Sequence, residues 1–544
     1  MRKPYGEKGE NMSNSGLALF EQKSSGGIAR QISPIDTMIY SAANPGLMFA
    51  LVYIMWAPFL YPGAHMVWAI LAVSQMFIIA GLYWLFSVSM PRSGGEYIYI
   101  SRILHPSLGL MASFMITFTS ISWTGILLNW IIKWSIVEFF YSSALINGND
   151  ATWLGYAEFF NSNYMHALIG TAMLLFIYYI YYKGTKWMVR LAYITLGATL
   201  LGAVVFIIAN LVTGQGTFAA NFTQLTGLNY DDVITIAKQD GFTTEFLFGA
   251  TFMAGSTYII LNTLGSTFGA NLAGEVRNVQ KSQLLALFGS LAILMVIWAV
   301  FYGMTYINFG DVWSNSLYYL YNAGHEAYPF AGYDPFITIM IGIMTKSPIF
   351  VLLIAICFAI ATFGSAAGLG FGPSRNFVAW SFDRLIPKKF MELNPKTNSP
   401  TYALKTIIAA AWVFLMLDIF VPSWTANIAY TIFTWFLAWI FLGIAGIVFS
   451  TRKKVLFNSS PPIVKTKFLG MHLVTILGWL TLAISVSICY YLLIPFFRGD
   501  LPFTMIVVSL LLMLIPIVIY FVMKRSHAKK GIDIDIQFQE IPSD

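Results

Sequence analysis

Long apolar runs alternate with short polar segments along almost the whole chain. Each run has about 20 mostly apolar residues, the length that an α-helix needs to cross the hydrocarbon core of a bilayer. The pattern predicts about twelve membrane spans, numbered here in chain order, near residues 35–60, 65–88, 106–142, 164–182, 187–213, 245–274, 284–309, 347–380, 401–421, 424–449, 467–495 and 502–523. Span 3 is too long for a straight crossing, so we expect it to tilt strongly or to project into the interior of the fold. The predicted fold class is an all-α polytopic membrane protein.

The composition supports this class. Of the 544 residues, 58% are hydrophobic and only 10% are charged, whereas soluble domains carry roughly 25% charged residues. The positive charges behind the net charge of +7 lie in short gaps between spans and form no basic helix, so we do not expect nucleic acid as a partner. The expected partner is the lipid bilayer. Cys357 and Cys489 lie inside apolar runs and offer no disulfide or metal-ligand spacing. We expect no catalytic residue, no metal site and no cofactor.

Positive charges predict the orientation of the chain. Of the 31 Lys and Arg residues, 27 fall in alternate segments between spans or at the termini, namely 1–34, 89–105, 183–190, 275–283, 375–405, 450–467 and 524–544. Cytoplasmic segments of membrane proteins carry such an excess of Lys and Arg. We therefore expect a multi-pass protein of the cell membrane with both termini in the cytoplasm.

Span 1 is interrupted by polar and helix-breaking residues at 41–46 (Ser-Ala-Ala-Asn-Pro-Gly). Asn can cap a helix, Pro is tolerated at the first helical position, and Gly lets a ligand approach the backbone. The pattern predicts one half-helix that ends near Ala42 and a second that begins at Pro45, although a plain proline kink is the alternative. Unpaired N–H groups survive within a bilayer only where they line a cavity or meet a ligand. Here they would be those of Gly46, Leu47 and Met48.

Span 6 has a similar polar, glycine-bearing stretch at residues 262–269. Small residues there could simply let helices pack closely. However, spans 1 and 6 correspond if spans 1–5 and 6–10 form an inverted repeat, and paired interruptions at equivalent positions indicate a substrate site near the bilayer midplane. The predicted organisation is a cytoplasmic segment 1–34, a first repeat 35–213, an extracellular loop 214–244, a second repeat 245–449, spans 11 and 12 within 450–523, and a cytoplasmic tail 524–544.

Three short motifs follow the spans in a fixed order. They are residues 91–97 (Pro-Arg-Ser-Gly-Gly-Glu-Tyr) after span 2, residues 274–278 (Gly-Glu-Val-Arg-Asn) after span 6, and Ser374-Arg375 with Asp383 and Pro387 after span 8. With these motifs the chain resembles the amino acid–polyamine–organocation permeases, a family with the leucine-transporter-type fold. The resemblance covers residues 28–450 and implies a secondary transporter of a small amino acid, with broken spans 1 and 6 and two additional C-terminal helices. The chain departs from the family pattern at residues 44–46, Val279 and Arg384. These departures bear on which subfamily the chain resembles and on its substrate more than on the fold.

The resemblance also implies a substrate site. The substrate carboxylate would meet the N–H groups after Pro45, and its amino group would meet carbonyls near Ala42 and Leu261. Span 3 would contribute Trp123 or Thr124, and a lid could come from Tyr258 or Phe268 or be absent. The expected substrate contacts are Ala42, Asn44, Gly46, Leu47, Thr124, Asn262, Thr263, Gly265 and Ser266. Because none of these side chains is charged, a neutral amino acid is the expected substrate.

Oxygen atoms near the break in span 1 are candidates for a coupling cation. The carbonyl of Ala43 and the hydroxyls of Thr362 and Ser365 are expected to form a sodium-type site, although such hydroxyls often bond their own backbone. Proton coupling and exchange remain alternatives. Lys133 and Glu138, near the outer end of span 3, could belong to an outer gate or form a solvated pair.

Other functional classes are compatible with parts of the pattern. A polyamine or amine could replace the amino acid as substrate. A membrane-embedded enzyme would need ionisable groups that converge inside the spans, and the deep spans have almost none. A channel would need a continuous polar pore and would show conductance without saturation.

The distribution of Lys and Arg generates a test of topology. In a variant with Cys357 and Cys489 replaced, Asn149→Cys should react with an impermeant thiol reagent applied outside the cell. Lys454→Cys should react only after the membrane is permeabilised. Labelling of Lys454→Cys in intact cells would show that the orientation is wrong.

Overall fold

The computed structural model describes residues 32–243, 245–397, 399–421, 431–497 and 504–538. Most of the predicted N-terminal segment, the start of span 10 and the last residues of the tail lie outside these ranges. Nearly all regular structure in the described residues is helical. One short hairpin, with strands Lys467–Phe468 and Met471–His472, lies between spans 10 and 11.

Ten helices in the described part of the chain are long and apolar enough to cross a membrane. They are Met66–Ser89, Pro106–Ile146, Asn163–Lys183, Thr185–Thr226, Val279–Phe309, Pro348–Phe382, Thr401–Phe420, Phe433–Arg452, Leu473–Ile494 and Ile506–Ala528. These helices are spans 2 to 5 and 7 to 12, and the interrupted spans 1 and 6 complete the twelve. The prediction of an all-α polytopic membrane protein is confirmed.

Shorter helices occupy several connections between spans. They are Glu96–Ile103, Ala151–Phe160, Tyr230–Gln239, Asp311–Asn322, Ile337–Thr345 and Lys454–Ser459. The predicted loop 214–244 is therefore largely helical, since span 5 continues past a kink at Gly214 (φ 67°) to Thr226. Aromatic packing holds this extension in place, with the ring of Phe222 centred 5.0 Å from that of Trp313.

Span 3 is the longest continuous support for the site. Its 41 residues extend over about 60 Å, roughly twice the thickness of the hydrocarbon core, and a π-helical segment occupies Ile132–Val137. Pro106 fills the first helical position, and the ring of His105 accepts a hydrogen bond from the amide of Ser107 at 3.2 Å. This cap defines where the helix begins on the side of the molecule that carries most Lys and Arg residues.

Span 1 consists of two half-helices, Pro34–Ala43 and Ala50–Leu60. The first begins with a capping box between Ser33 and Asp36. The second begins at Ala50 and not at Pro45, so that part of the prediction is wrong. A tight turn intervenes, in which the Phe49 amide donates to the Gly46 carbonyl at 2.9 Å and Gly46 adopts a positive φ of 68°.

Span 6 is interrupted more mildly than span 1. The chain stays helical from Phe248 to Asn271 but changes type, with a π segment at Gly255–Ile259 and a 3₁₀ segment at Leu264–Thr267 between α-helical pieces Phe248–Ala254, Ile260–Thr263 and Phe268–Asn271. Each change of type disturbs the regular i→i+4 hydrogen-bond pattern. The polar stretch thus alters the backbone without unwinding it.

Glycines of span 6 also allow close packing against span 1. A Cβ atom on Gly265 would lie 3.1 Å from the carbonyl carbon of Asn44, and one on Gly269 would lie 2.5 Å from the Ser41 hydroxyl. Close packing, which the sequence left as an alternative explanation, therefore operates together with the change in backbone. The two interrupted spans meet at their interruptions.

The three sequence motifs meet at one end of the bundle, where the Tyr97 hydroxyl of the first motif donates to Asp383 of the third, next to two buried ion pairs. Arg375 binds Glu275 at 2.8 Å, and the guanidinium of Arg102 binds both carboxylate oxygens of Asp383, at 2.7 and 2.9 Å. All four side chains are at most 3% exposed. Removal of one partner from such a pair strongly destabilises the folded protein, because the remaining charge stays buried without compensation. The two pairs fix the ends of spans 6 and 8 against the connection between spans 2 and 3.

Candidate functional site

A cavity lies between spans 1, 3, 6, 8 and 10, beside the interruption of span 1. Its lining is mostly apolar and aromatic. The lining residues are Asn44, Pro45, Gly46, Phe49, Tyr53, Thr119, Trp123, Leu127, Leu261, Asn262, Leu264, Gly265, Ser365, Leu369 and Trp435. None of them carries a charged side chain. Small-molecule sites are typically lined in this way, by apolar and aromatic side chains with a few polar groups.

Several polar side chains at the cavity have hydrogen-bond donors without partners. The indole N–H of Trp123 and the side-chain amide nitrogens of Asn44 and Asn262 are buried and unpaired. A buried polar group without a partner costs about 1–3 kcal/mol. Three such donors at one cavity indicate that a ligand with acceptor atoms completes the site.

Backbone donors add to this set. The amides of Gly46, Leu47 and Met48 donate to none of the described backbone or side-chain acceptors. They precede the half-helix Ala50–Leu60, whose N-terminal end carries a partial positive charge. Unpaired amides at the start of a helix are a general anion-binding arrangement.

Seven of the site residues predicted from sequence line this cavity: Asn44, Gly46, Trp123, Leu261, Asn262, Gly265 and Ser365. Others lie outside the lining. The hydroxyl of Thr124 donates to the carbonyl of Ser120 at 3.0 Å, within span 3. The hydroxyl of Thr263 likewise donates to Ile260 at 2.6 Å.

The remaining predicted substrate contacts are buried next to the cavity rather than on its wall. Ala42 is the penultimate residue of the first half-helix and is fully buried. The carbonyl of Leu47 accepts a hydrogen bond from the indole of Trp298 at 3.1 Å. The hydroxyl of Ser266 is buried without a partner. Leu47 thus contributes to the site through its amide and not through its side chain.

Sequence reasoning missed most of the wall that span 3 provides. Thr119, Trp123 and Leu127 line the cavity, and their spacing of four residues places them on one face of a helix. This periodicity was visible in the sequence, but only the contact with span 1 shows which face points to the cavity. No pattern in the sequence indicated the other wall residues Phe49, Tyr53, Leu369 and Trp435.

Aromatic rings close one end of the cavity. The ring of Tyr53 lies 5.3 Å from that of Tyr258 and 6.0 Å from that of Trp56, and Trp123 lies 5.4 Å from Trp130. Of the two residues expected as a lid, Tyr258 belongs to this aromatic cluster. Phe268 packs instead on Trp435, at 5.7 Å, towards the ion-paired end of the bundle.

The predicted cation ligands lie close to the same break. The Ser365 hydroxyl is 3.0 Å from the Ala43 carbonyl and 3.2 Å from the Ala361 carbonyl, while the Thr362 hydroxyl is buried without a partner. Ser365 therefore connects spans 1 and 8 directly. Among the described residues, no group of three or more His, Cys, Asp or Glu side chains is arranged to hold a metal ion.

Near the opposite end of span 3, Lys133 and Glu138 do not form a solvated pair. Lys133 binds Asp334 at 2.6 Å. Glu138 is 1% exposed, and neither of its carboxyl oxygens has a hydrogen-bond partner. The expectation of a solvated pair is wrong, because Lys133 forms its ion pair with Asp334, from the connection between spans 7 and 8, and Glu138 is buried.

A sequence model described as amino acid permease matches residues 32–521 of the chain. The matched stretch begins just before the first half-helix of span 1, reaches into span 12 and includes every residue of the cavity wall. None of the curated proteins compared with the chain matches it. The family match confirms the resemblance that the three motifs carried.

The contact between the two interruptions generates a test of the site. In Gly265→Ala, the added Cβ would press on the backbone of Asn44 and Pro45, at 3.1 and 3.2 Å. Overpacking of this kind costs ~1–3 kcal/mol, so half-saturation of uptake should need about tenfold more substrate or more. Gly303→Ala is the matched control, because its Cβ would meet nothing within 4 Å. Equal affinity and equal surface expression of both variants would contradict this placement.

Proposed function

The chain belongs to the amino acid permease family, and we propose that it moves a small neutral amino acid across the cell membrane by alternating access. Family membership indicates a transporter of amino acids rather than an enzyme. The choice of a neutral substrate and of the binding site goes further and rests on the cavity between spans 1, 3, 6, 8 and 10.

The observation that carries the proposal is the set of unpaired donors. Three side-chain donors and three successive backbone amides lie in or beside a cavity whose wall has no charged group. A carboxylate accepts several hydrogen bonds at once and is stabilised by the positive end of a helix. The α-carboxylate of an amino acid fits this arrangement. Asn44, Gly46 and Trp123 are the residues at the cavity wall that would bind it.

The uncharged wall restricts the substrate side chain. A charged side chain would lose its hydration in the cavity without gaining an opposite charge, at a cost of several kcal/mol. Leu127, Leu261 and Leu369 instead offer an apolar surface. We therefore assign a neutral, partly apolar substrate side chain to this part of the cavity.

A cation at Ala43, Thr362 and Ser365 would couple transport to an ion gradient. A bound sodium ion would accept coordination from the carbonyl of Ala43 and from both hydroxyls. It would join span 1 to span 8 more firmly than the single hydrogen bond of Ser365 does. Because Ala43 is adjacent to residues 44–46, binding of the ion would affect the position of the residues that bind the substrate. We also propose that both termini lie in the cytoplasm, because the segments on that side of the membrane would then carry most of the Lys and Arg residues.

The carboxylate assignment predicts the outcome of a competition experiment. A neutral amino acid should compete for labelled uptake more strongly than the amine that lacks its carboxylate. Charge-assisted hydrogen bonds contribute about 1.5–3 kcal/mol, so the difference should be roughly one to two decades in affinity. Equal competition by the amine would remove the assignment and favour an amine or polyamine substrate.

The cation assignment predicts a sodium dependence that one hydroxyl controls. Uptake should fall when choline replaces sodium at constant pH, and Ser365→Ala should abolish that dependence. Ser290→Ala is a matched control, because this buried serine donates only within its own helix, to Leu287 at 3.2 Å. Uptake that is indifferent to sodium but collapses with a protonophore would refute the sodium site.

A further inference from the structure

Glu96 is a third buried carboxyl group at the ion-paired end of the bundle. It begins the short helix Glu96–Ile103, in the connection between spans 2 and 3, and is 2% exposed. One carboxyl oxygen has no hydrogen-bond partner, and the other accepts from the Tyr83 hydroxyl at 3.3 Å. Its surroundings therefore give little compensation for a negative charge.

No cation pairs with Glu96 in the described structure. Arg102, on its own helix, binds Asp383, and Arg375, at the end of span 8, binds Glu275. Arg92, buried in the same connection four residues before Glu96, forms no ion pair with it among the described contacts. Span 3 has no ionisable residue before Lys133, and span 10 has only Arg452, at its end. The other titratable neighbours are the hydroxyls of Tyr83 and Tyr99, which are neutral. The two arginines thus neutralise two of the three buried carboxyl groups and leave Glu96.

An unpaired carboxylate in such surroundings is expensive, so the neutral acid is favoured. Burial raises the pKa of Glu96 to about 7, although its own backbone amide, Tyr83 and Asn376 act in the opposite direction. The neutral acid also provides an O–H donor. The amide oxygen of Asn376, whose side chain interacts with Glu96, is buried without a donor.

Other polar groups between Glu96 and the cavity are also unsatisfied. The Ser41 hydroxyl and both polar atoms of the Asn271 side chain are buried without partners. Asn271 ends span 6 and lies against Gly95, where a Cβ would be 2.1 Å from its amide oxygen. These groups would gain hydrogen bonds if water entered between spans 1 and 6. Their arrangement is that of a polar path closed by tight packing.

Direct contacts join Glu96 to the cavity wall. Trp435 lines the cavity, and its ring lies 6.3 Å from that of Trp439. The Trp439 indole donates to the Tyr83 hydroxyl at 3.0 Å, and that hydroxyl donates to Glu96. A movement of span 10 that follows substrate binding would therefore change the surroundings of the carboxyl group.

We propose that Glu96 is a proton-binding site of the inner gate, which holds a proton while the path beneath the cavity is closed and releases it when water enters. The inference rests on the proposed alternating access but not on the identity of the substrate or of the coupling cation. The proton stays on the carboxyl group in the closed state and passes to water in the open state. No other reactant is needed.

The direction of the pH effect follows from proton binding. The closed state has the raised pKa of about 7, whereas a hydrated glutamate titrates near 4.3. The closed state therefore binds more protons, and its advantage is complete below about pH 4.3 and is lost as the pH rises through about 7. Between pH 6 and pH 8 the ratio of open to closed protein should rise about tenfold.

Infrared spectroscopy of the purified protein tests protonation directly. The band of a protonated carboxyl group should weaken between pH 6 and pH 8 in the wild type, and this change should be absent in Glu96→Gln. Glu138→Gln, which alters another buried carboxyl group, should retain it. Tyr83→Phe removes a hydrogen bond that favours the charged form, so it should raise the midpoint of the change. An unaltered change in Glu96→Gln, or an unaltered midpoint in Tyr83→Phe, would overturn the proposal.

Accessibility of the path tests the role in gating. Ser41→Cys, with Cys357 and Cys489 replaced by alanine, places a thiol at a fully buried position of the first half-helix. The control is the same protein with Glu96→Gln, in which the thiol itself responds to pH in the same way. The ratio of the labelling rate from the cytoplasmic face at pH 8 to that at pH 6 should be about ten times larger with Glu96 than in the control. An equal rise in both proteins would overturn the gating role, and it would do so whether or not uptake of amino acid is observed.

Discussion

The rest of the site depends on the requirement that backbone polar groups inside a bilayer find partners. Apart from its ends, a continuous helix meets that requirement by itself. At residues 44–49 of span 1 the chain departs from the helix, and the amides of Gly46, Leu47 and Met48 are left without acceptors. The cavity, its unpaired Asn44, Asn262 and Trp123 donors and the uncharged wall are arranged around this departure. An acceptor-rich ligand would supply what the fold leaves missing.

The opposite requirement operates at the ion-paired end of the bundle, where charges are buried and must be compensated. Arg102 and Arg375 each bind a carboxylate, and through them the three motifs hold the ends of spans 6 and 8 to the connection after span 2. Glu96 has no such partner and is neutralised by a proton in our proposal. The same region therefore combines two permanent ion pairs, which stabilise it, with one group whose charge can change.

Close packing links these two regions. Gly265 and Gly269 bring span 6 so close to span 1 that a Cβ atom at either position would crowd it. Separation of these surfaces would expose Ser41 and Asn271, whose polar atoms are unsatisfied in the closed arrangement. In the proposed alternating access, this would reduce the free-energy difference between closed and open states, since opening would lose apolar packing but gain hydration of polar atoms. A small difference is what a transporter needs in order to alternate between states.

The sequence by itself determined the class, the number of spans and the position of the interruption in span 1, because hydropathy and Pro-Gly chemistry are local properties. Its three motifs also carried the family. It did not determine that the second half-helix begins at Ala50, that Thr124 faces away from the cavity, or that Lys133 binds Asp334 and not Glu138. Those facts depend on which face of a helix meets a neighbour and which distant side chain arrives there. Only the tertiary structure brings together residues such as Asn44, Trp123 and Trp435, and only it shows that none of the cations it describes forms an ion pair with Glu96.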